Sequence, residues 1–485
     1  TARLRRLKEG GRIDRGKQLT VEFDGKRLAG YHGDTIASML LANDVGIVGR
    51  SFKLHRPRGV MTAGVEEPNA LVTVGIGARR DPNVSAPTAE LMQSQRIESQ
   101  NRWPSARFDL MAVNRLAGPT LAAGFYYKTF MGPAKKSWMA FEPWIRRAAG
   151  LGKPSREADP DRYETRNEFC DVLVVGAGPA GLAAAIAAGR TGARVIIVEQ
   201  DFLLGGSLLA EPYGSDAADW LALRTLEIDG MANVRLLRRT TAFGLYDHMT
   251  VGLFERRDHE QPDPSSGRAR QVTVTVRAKA IVIAAGAIER PLVFNNNDKP
   301  GVMLASAARV YLNRFAVAPQ SNVVISTNNS SVYRTAFDLA AEGISVTVAD
   351  VRRSIDDDLK ARARSLGIDL LAGMAVVDVP GVGVARQALI AEYRGDGGRP
   401  DFTLEARPAD LVLMSGGWSP TVHLTSHLGV RPRWQNDIAG FVPGELPAGQ
   451  FVAGAVCGTF ATGEAIAEGF AAGAAAAAAA GAGGL

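Results

Sequence analysis

Between residues 17 and 75 the apolar positions recur with two different periods. Leu19, Val21 and Phe23 alternate with polar neighbours, the period-2 pattern of a half-buried strand. Asp24-Gly25 then supplies a tight turn into a second strand. Asp34 stands where a cap is needed for a helix over 35–43, whose Ile36, Met39 and Leu40 form an apolar stripe. The polar loop Arg50-Ser51-Phe52-Lys53-Leu54-His55-Arg56-Pro57-Arg58-Gly59 follows, and a closing strand is expected at 70–74. Residues 76–167 show neither period. They hold Trp103, Phe108, Phe125, Tyr126, Tyr127, Phe130, Trp138, Phe141 and Trp144 among prolines and glycines. A stretch this long without elements is expected either to pack on its own domains or to offer aromatic anchors to a partner.

From Cys170 the pattern becomes alternating strand and helix. The apolar run Asp171-Val172-Leu173-Val174-Val175 leads straight into Gly176-Ala177-Gly178-Pro179-Ala180-Gly181, an alanine-rich helix to about Arg190, and a second strand closing on Glu199. The three glycines serve different ends. Gly176 permits the tight turn, Gly178 lets backbone approach a pyrophosphate, and Gly181 lets helix and strand pack closely. The pyrophosphate rests on the positive end of the helix. Glu199 accepts from adenosine ribose hydroxyls and repels a 2′-phosphate, so NAD or FAD is expected over NADP. Gln200 and Asp201 are expected beside the adenosine, and Gly206-Ser207 beside ribose or phosphate. Ala242, Ala285, Gly286, Gly454, Ala455, Phe460 and Thr462 complete the expected cofactor contacts, because later strands converge on the same loop. The strand at 280–283 with its turn to Ala287, and the run 450–455, resemble the later strands of two-dinucleotide flavoproteins. Those proteins place an Asp after the last Gly to hold the ribityl chain, whereas this chain has Ala455, which favours NAD over FAD. A second nucleotide fold should open at 322–326, but Thr327-Asn328-Asn329-Ser330-Ser331 carries no glycine triplet, so it is expected as scaffold.

Composition narrows this further. With 485 residues the chain exceeds one core, and 46% hydrophobic with 22% charged residues reads as soluble and globular. The net charge of +6 is concentrated in Arg3, Arg5, Arg6, Lys8, Arg12, Arg15 and Lys17, expected as a solvated basic arm over 1–16. No aromatic-interleaved basic motif follows, which argues against nucleic acid. Cys170 and Cys457 are too few for a disulfide framework or a four-cysteine metal site and fit a reducing cytoplasm. No signal peptide pattern opens the chain, and residues 470–485 are almost entirely Ala and Gly, too weakly hydrophobic to favour a bilayer. His423 and His427 lack companion ligands at suitable spacing and are read as packing or polar surface. No catalytic residue and no metal site stand out.

Longer strings are more specific than the glycine loop. Residues 51–74 (SFKLHRPRGVMTAGVEEPNALVTV), 99–104 (SQNRWP), 124–130 (GFYYKTF), 287–313 (AIERPLVFNNNDKPGVMLASAARVYLN) and 415–420 (SGGWSP) resemble the alpha subunit of heterotetrameric sarcosine oxidase, across nearly the whole chain. The resemblance implies an enzyme of four different subunits that oxidatively demethylates an N-methyl amine and passes electrons to oxygen. It implies NAD in this chain without an established hydride-transfer role, FAD and the substrate site in a beta subunit, and FMN at their boundary. It also implies a C-terminal folate-binding domain. The sequence ends where that domain is expected, as a fragment would or as in shorter relatives such as opine oxidase or hydrogen cyanide synthase subunits. The first domain is ferredoxin-like, yet a plant-type 2Fe–2S loop needs Cys-x4-Cys-x2-Cys. Thr62, Glu67 and Ala70 occupy those positions, so no iron is expected.

The expected fold class is therefore α/β: a two-dinucleotide-binding, Rossmann-like domain of glutathione-reductase type, preceded by a small ferredoxin-like α+β domain lacking its cluster. The expected division is a basic arm at 1–16, the ferredoxin-like domain at 17–75 and a connector at 76–167. An NAD-binding domain at 168–300 and 430–485 is then interrupted by a second Rossmann-like domain at 301–429. The expected function is the NAD-binding alpha subunit of a cytoplasmic, multi-subunit flavin-dependent amine oxidase with beta, gamma and delta-like partners. The chain alone is expected to be noncatalytic. The alternatives are an opine oxidase or hydrogen cyanide synthase-like subunit, or a stand-alone FAD/NAD(P) oxidoreductase. The stand-alone reading is weakened by the absence of a second glycine fingerprint and of Cys-x2-Cys.

Overall fold

The computed structural model describes residues 4–120, 137–149, 152–257, 267–395 and 403–482. The chain divides into two compact units, Thr1–Asp159 with Pro291–Gly416, and Pro160–Arg290 with Gly417–Leu485.

The first unit opens with a five-stranded ferredoxin-like sheet in the order Lys26–His32, Asp14–Phe23, Arg96–Ser99, Leu71–Val74, Asp81–Ser85. Its helix, Ile36–Ala42, buries Ile36, Met39 and Leu40, as the apolar stripe predicts. The cap differs from expectation by one residue. Thr35 is the N-cap, in a reciprocal capping box with Ser38. Asp34 is buried beneath it, accepting from Ser38 Oγ at 2.6 Å, from the Tyr31 amide at 2.8 Å and from both terminal nitrogens of Arg6.

Two further expectations change here. The start of the stretch expected to be irregular, 76–99, supplies two strands, Asp81–Ser85 and Arg96–Ser99. Their runs of five and four residues are too short and too polar to show a period. The basic arm is not a solvated tail either: Leu4–Arg6 is a strand paired antiparallel with Val317–Pro319, and Arg6 is ion-paired to Asp34. Arg15 donates to the carbonyls of Leu7, Glu9 and Gly10. Further on, 110–120 forms a 3-10 helix and Trp138–Ala149 an α-helix. Phe125, Tyr126, Tyr127 and Phe130 lie outside the described residues.

The rest of this unit is a parallel five-stranded sheet ordered Val302–Leu304, Leu411–Ser415, Asn322–Thr327, Ser345–Asp350, Asp369–Ala372. A meander of three antiparallel strands lies between residues 374 and 408. One apolar cluster runs from Val21, Ile36 and Ile97 through Tyr311, Phe315, Ile325 and Val412. The ferredoxin-like sheet and this Rossmann-like sheet therefore share a core.

The second unit is a seven-stranded sheet. Val234–Leu237, Val195–Val198, Arg162–Val175 and Ala269–Ile283 run parallel, Thr250–Arg256 and Thr240–Tyr246 continue it antiparallel, and Gln450–Val452 pairs with 281–283. The central strand begins at Arg162, well before the apolar run, because its first half alternates exposed and half-buried side chains. Pro179–Arg190 and Thr462–Ala479 pack helix to helix beside the sheet. A Cβ at Gly469 would lie 2.2 Å from the Ala180 carbonyl oxygen, and one at Gly473 would lie 2.2 Å from that of Ala184. The Ala/Gly composition of the C-terminal run is thus what lets two helix backbones touch. No described helix is long and apolar enough to cross a membrane.

Candidate functional site

The glycine loop sits at the carboxyl end of the central strand of the second unit, where nucleotide sites of open α/β sheets form. Gly176 has φ +97°, and a Cβ there would lie 2.4 Å from the Ala284 carbonyl oxygen. A Cβ on Gly181 would lie 1.8 Å from the Gly176 carbonyl oxygen, so these two positions admit no side chain. Gly178 is the extended N-cap of the helix and Pro179 its first residue, where the missing N–H costs nothing. Around Gly178 the nearest atom to a Cβ is the Gly206 Cα at 3.9 Å, leaving that side of the loop open. Gly205, with φ +126°, donates to the Ala177 carbonyl at 2.9 Å and brings Gly206 against Gly178; Ser207 beside it is exposed.

Glu199 is buried at the end of the second strand. Its Oε2 accepts from the Ala177 amide at 2.8 Å and its Oε1 from the Asp201 amide at 2.9 Å. Burial pushes its carboxyl up to about 7, opposed by the amides of Asp201 and Ala177. Gln200 is exposed next to it, and Asp201 is held by the Leu203 amide on its side chain and the Arg239 amide on its carbonyl. Thr240 donates its amide to the Glu199 carbonyl at 2.8 Å, which places the strand carrying Ala242 alongside.

The later segments are placed as follows. Ala284 donates to the Val175 carbonyl, setting Ala285 and Gly286 at the rim of the glycine loop. Gly454, with φ +78°, is packed so closely on the glycine-loop helix that a Cβ would lie 2.8 Å from that of Ala180. Ala455 follows in a short 3-10 turn, Thr462 opens the last helix, and the Phe460 ring lies 6.4 Å from that of Trp418. One participant escapes sequence reasoning. Glu468 accepts from the Gly454 amide at 2.8 Å and from the Thr459 hydroxyl at 2.6 Å, fixing the turn that carries Ala455. Its only sequence signal is a carboxylate inside an Ala/Gly-rich helix. His427 accepts the Leu245 amide at 3.2 Å, a packing role, and no described cluster of His, Cys, Asp or Glu suits a metal. Burial raises both thiols, Cys170 and Cys457, to about 12, so neither is an activated nucleophile.

Asp350, at the end of the second strand of the other Rossmann-like sheet, is the counterpart of Glu199. Its oxygens accept from the Arg352 amide, from Arg352 Nε and Nη2, and from the Tyr333 hydroxyl, at 2.7–3.0 Å. A carboxylate offers about four lone-pair directions. At Asp350 all four are taken, whereas Glu199 is met by backbone amides alone, those of Ala177, Asp201 and Gln200, which leave acceptor capacity.

Several of the longer strings prove to be joints within the first unit. Arg56 reaches Asp298 at 2.7 Å and Asn296 at 3.0 Å, Arg58 also pairs with Asp298, and Lys299 donates to the carbonyls of Val379, Pro380 and Gly381. Arg102 pairs with Asp24, and Ser415 receives Asn329 Nδ2.

Fold and loop together define an α/β chain of the two-dinucleotide-binding flavoprotein class with a ferredoxin-like domain in front. A model described as 2Fe-2S iron-sulfur cluster binding domain matches residues 16–102, and one described as FAD dependent oxidoreductase matches 171–288. Within that class, what the chain is similar to along nearly its whole length is the alpha subunit of sarcosine oxidase. Identity is 46% to the subunit of Rhizobium meliloti (strain 1021), over 96% of this chain and 46% of that protein. It is 37% to the subunit of Corynebacterium sp. (strain U-96), over 95% and 44%. The resemblance read from the sequence is borne out, and the chain spans under half the length of these relatives. Among solved structures, the L-proline dehydrogenase of P. horikoshii superposes with a TM-score of 0.62 at 19% identity, over 96% of this chain and 73% of that one, which bears on the fold alone.

Proposed function

We propose that this chain is the nucleotide-holding portion of the alpha subunit of a multi-subunit, flavin-dependent amine oxidase. Its reaction is the oxidative demethylation of N-methyl amino acids, with oxygen reduced to hydrogen peroxide. The observation that carries this reading is the similarity to sarcosine oxidase alpha subunits along 96% of the chain. The nucleotide is NAD. Amides of the glycine loop and the helix beginning at Pro179 hold its diphosphate, and the spare lone pairs of Glu199 accept the ribose hydroxyls. The same carboxylate repels a 2′-phosphate. Ala455 offers no carboxylate to a ribityl chain, which weighs against FAD at this position. The saturated Asp350 supports a single nucleotide per chain.

Amine oxidation is the work of flavins housed with companion subunits: FAD in a beta subunit and FMN at its boundary with this chain. The role of this chain is to bind and orient NAD and to hold the partners together in a cytoplasmic complex with beta, gamma and delta-like subunits. The test is to purify the chain with and without co-expressed neighbours, denature it and identify the released nucleotide. NAD near one equivalent is expected. A yellow preparation that releases stoichiometric FAD would overturn the assignment.

A further inference from the structure

The match to a 2Fe–2S domain implies a cluster in the loop at 60–70, and the residues present do not fit one. Thr62, Glu67 and Ala70 occupy the three positions of the Cys-x4-Cys-x2-Cys spacing, and none provides a thiolate. The loop is nevertheless fully built. Glu67 is 7% exposed, and its side chain turns inward. One oxygen accepts from the amides of Met61 at 2.9 Å and Thr62 at 2.6 Å, and the other from those of Asn69 at 2.8 Å and Ala70 at 2.9 Å. Two of those four donors belong to the outer ligand positions themselves.

A cluster loop wraps an anion, and its amides point inward at sulfur. Here the same inward amides converge on two carboxylate oxygens, the one side-chain group able to accept four bonds at once. We infer that Glu67 is the built-in anion of this loop, a carboxylate in the place of the cluster, which holds the ferredoxin-like domain folded without iron. Tyr311, fully buried, donates its hydroxyl to the Thr62 carbonyl at 2.8 Å. Its phenol is pushed well above the ordinary value, first by burial and then by Glu67 and Glu66. Leu304 donates to the Met61 carbonyl, so two loop carbonyls tie the loop to the strand Val302–Leu304 and to the helix Ala305–Phe315 that follows it.

The experiment uses the whole chain with Glu67→Ala and Glu67→Gln. Four amides, two of them on buried residues, lose their acceptor in E67A, and the melting temperature is expected to fall by about 5 °C. Tens of millimolar formate, a free carboxylate of the right size, should restore at least half of that loss, whereas chloride at equal ionic strength should not. In E67Q the amide nitrogen opposes two of the donors, so hydrogen exchange at Met61, Thr62, Asn69 and Ala70 is expected to quicken about tenfold with the parallel sheets unchanged. An unaltered melting temperature in E67A, or equal rescue by formate and chloride, would overturn the inference. If E67A does not fold, E67Q decides: unchanged exchange at the four amides rejects it.

Discussion

Glu199 carries a consequence that can be measured in solution. Its carboxyl titrates at about 7 in the folded chain, above the 4.5 of a free glutamate, because burial disfavours the ionised form. The folded state therefore binds more protons than the unfolded one between those values. This group's contribution to stability is complete below the lower value and is lost as pH rises through the upper. Ribose hydroxyls have the opposite preference, since they donate to the ionised form. NAD affinity is expected to strengthen by about tenfold between pH 6 and pH 8, following the ionised fraction. Glu199→Gln should bind weakly and with a flat profile, as titration calorimetry at both pH values would show; an equally steep profile in the variant would reject the role. Glu67 gives a second residue-scale expectation: iron and acid-labile sulfide assays on anaerobically purified chain should both read blank. The two carboxylates differ in how far the sequence reveals them. Glu199 is legible because it closes a strand after a glycine fingerprint, a local context. Glu67 is legible only as a missing ligand, since its four donors come together only once the loop is closed.

At the scale of elements, the joint between Pro179–Arg190 and Thr462–Ala479 holds the glycine loop in place. Gly469 and Gly473 permit backbone contact, and a leucine at either would have to displace the neighbouring helix. Gly473→Leu is expected to destabilise the chain by about 3 kcal/mol, at the upper end of overpacking costs, and to reduce nucleotide retention. Gly463→Ala, where a Cβ meets nothing within 4 Å, should leave both unchanged. Thermal melts with quantified released nucleotide check the pair. The helix itself is legible as an Ala-rich run after the last strand. Its partner is not, because glycines four residues apart mark a close contact without saying against what. Strands Asp81–Ser85 and Arg96–Ser99 escape the pattern for a related reason: they are ordered by their neighbours in the sheet rather than by their own alternation.

For the whole molecule, exposed apolar side chains point outward from the connector. Trp103, Phe108 and Trp144 are 60%, 65% and 72% exposed, far above what aromatic residues of a lone globular chain usually show. They are described members of the aromatic set expected either to pack on its own domains or to anchor companion subunits, and their exposure favours the second. The lone chain should show no amine oxidase activity even with added FAD and FMN, and should gain it on co-expression with its partners. Trp103→Ala, Phe108→Ala and Trp144→Ala should each weaken assembly by up to about 30-fold, since a buried aromatic anchor contributes ~2 kcal/mol at an interface. Their own folding should be unaffected, as size-exclusion and melting curves would show. Turnover of N-methyl amines by the pure monomeric chain would refute the scaffold role. What the sequence alone determined is the class of fold and the nucleotide loop, because steric demands on Gly176, Gly178 and Gly181 and the acid at Glu199 act within one short stretch of backbone. The tertiary structure decided how each carboxylate is satisfied: Asp350 closed by Arg352 and Tyr333, Glu199 held by backbone amides alone, Glu67 filling the loop that in a 2Fe–2S fold carries the cluster ligands. Hydrogen-bond saturation depends on groups that folding brings together, and no pattern along the chain encodes it.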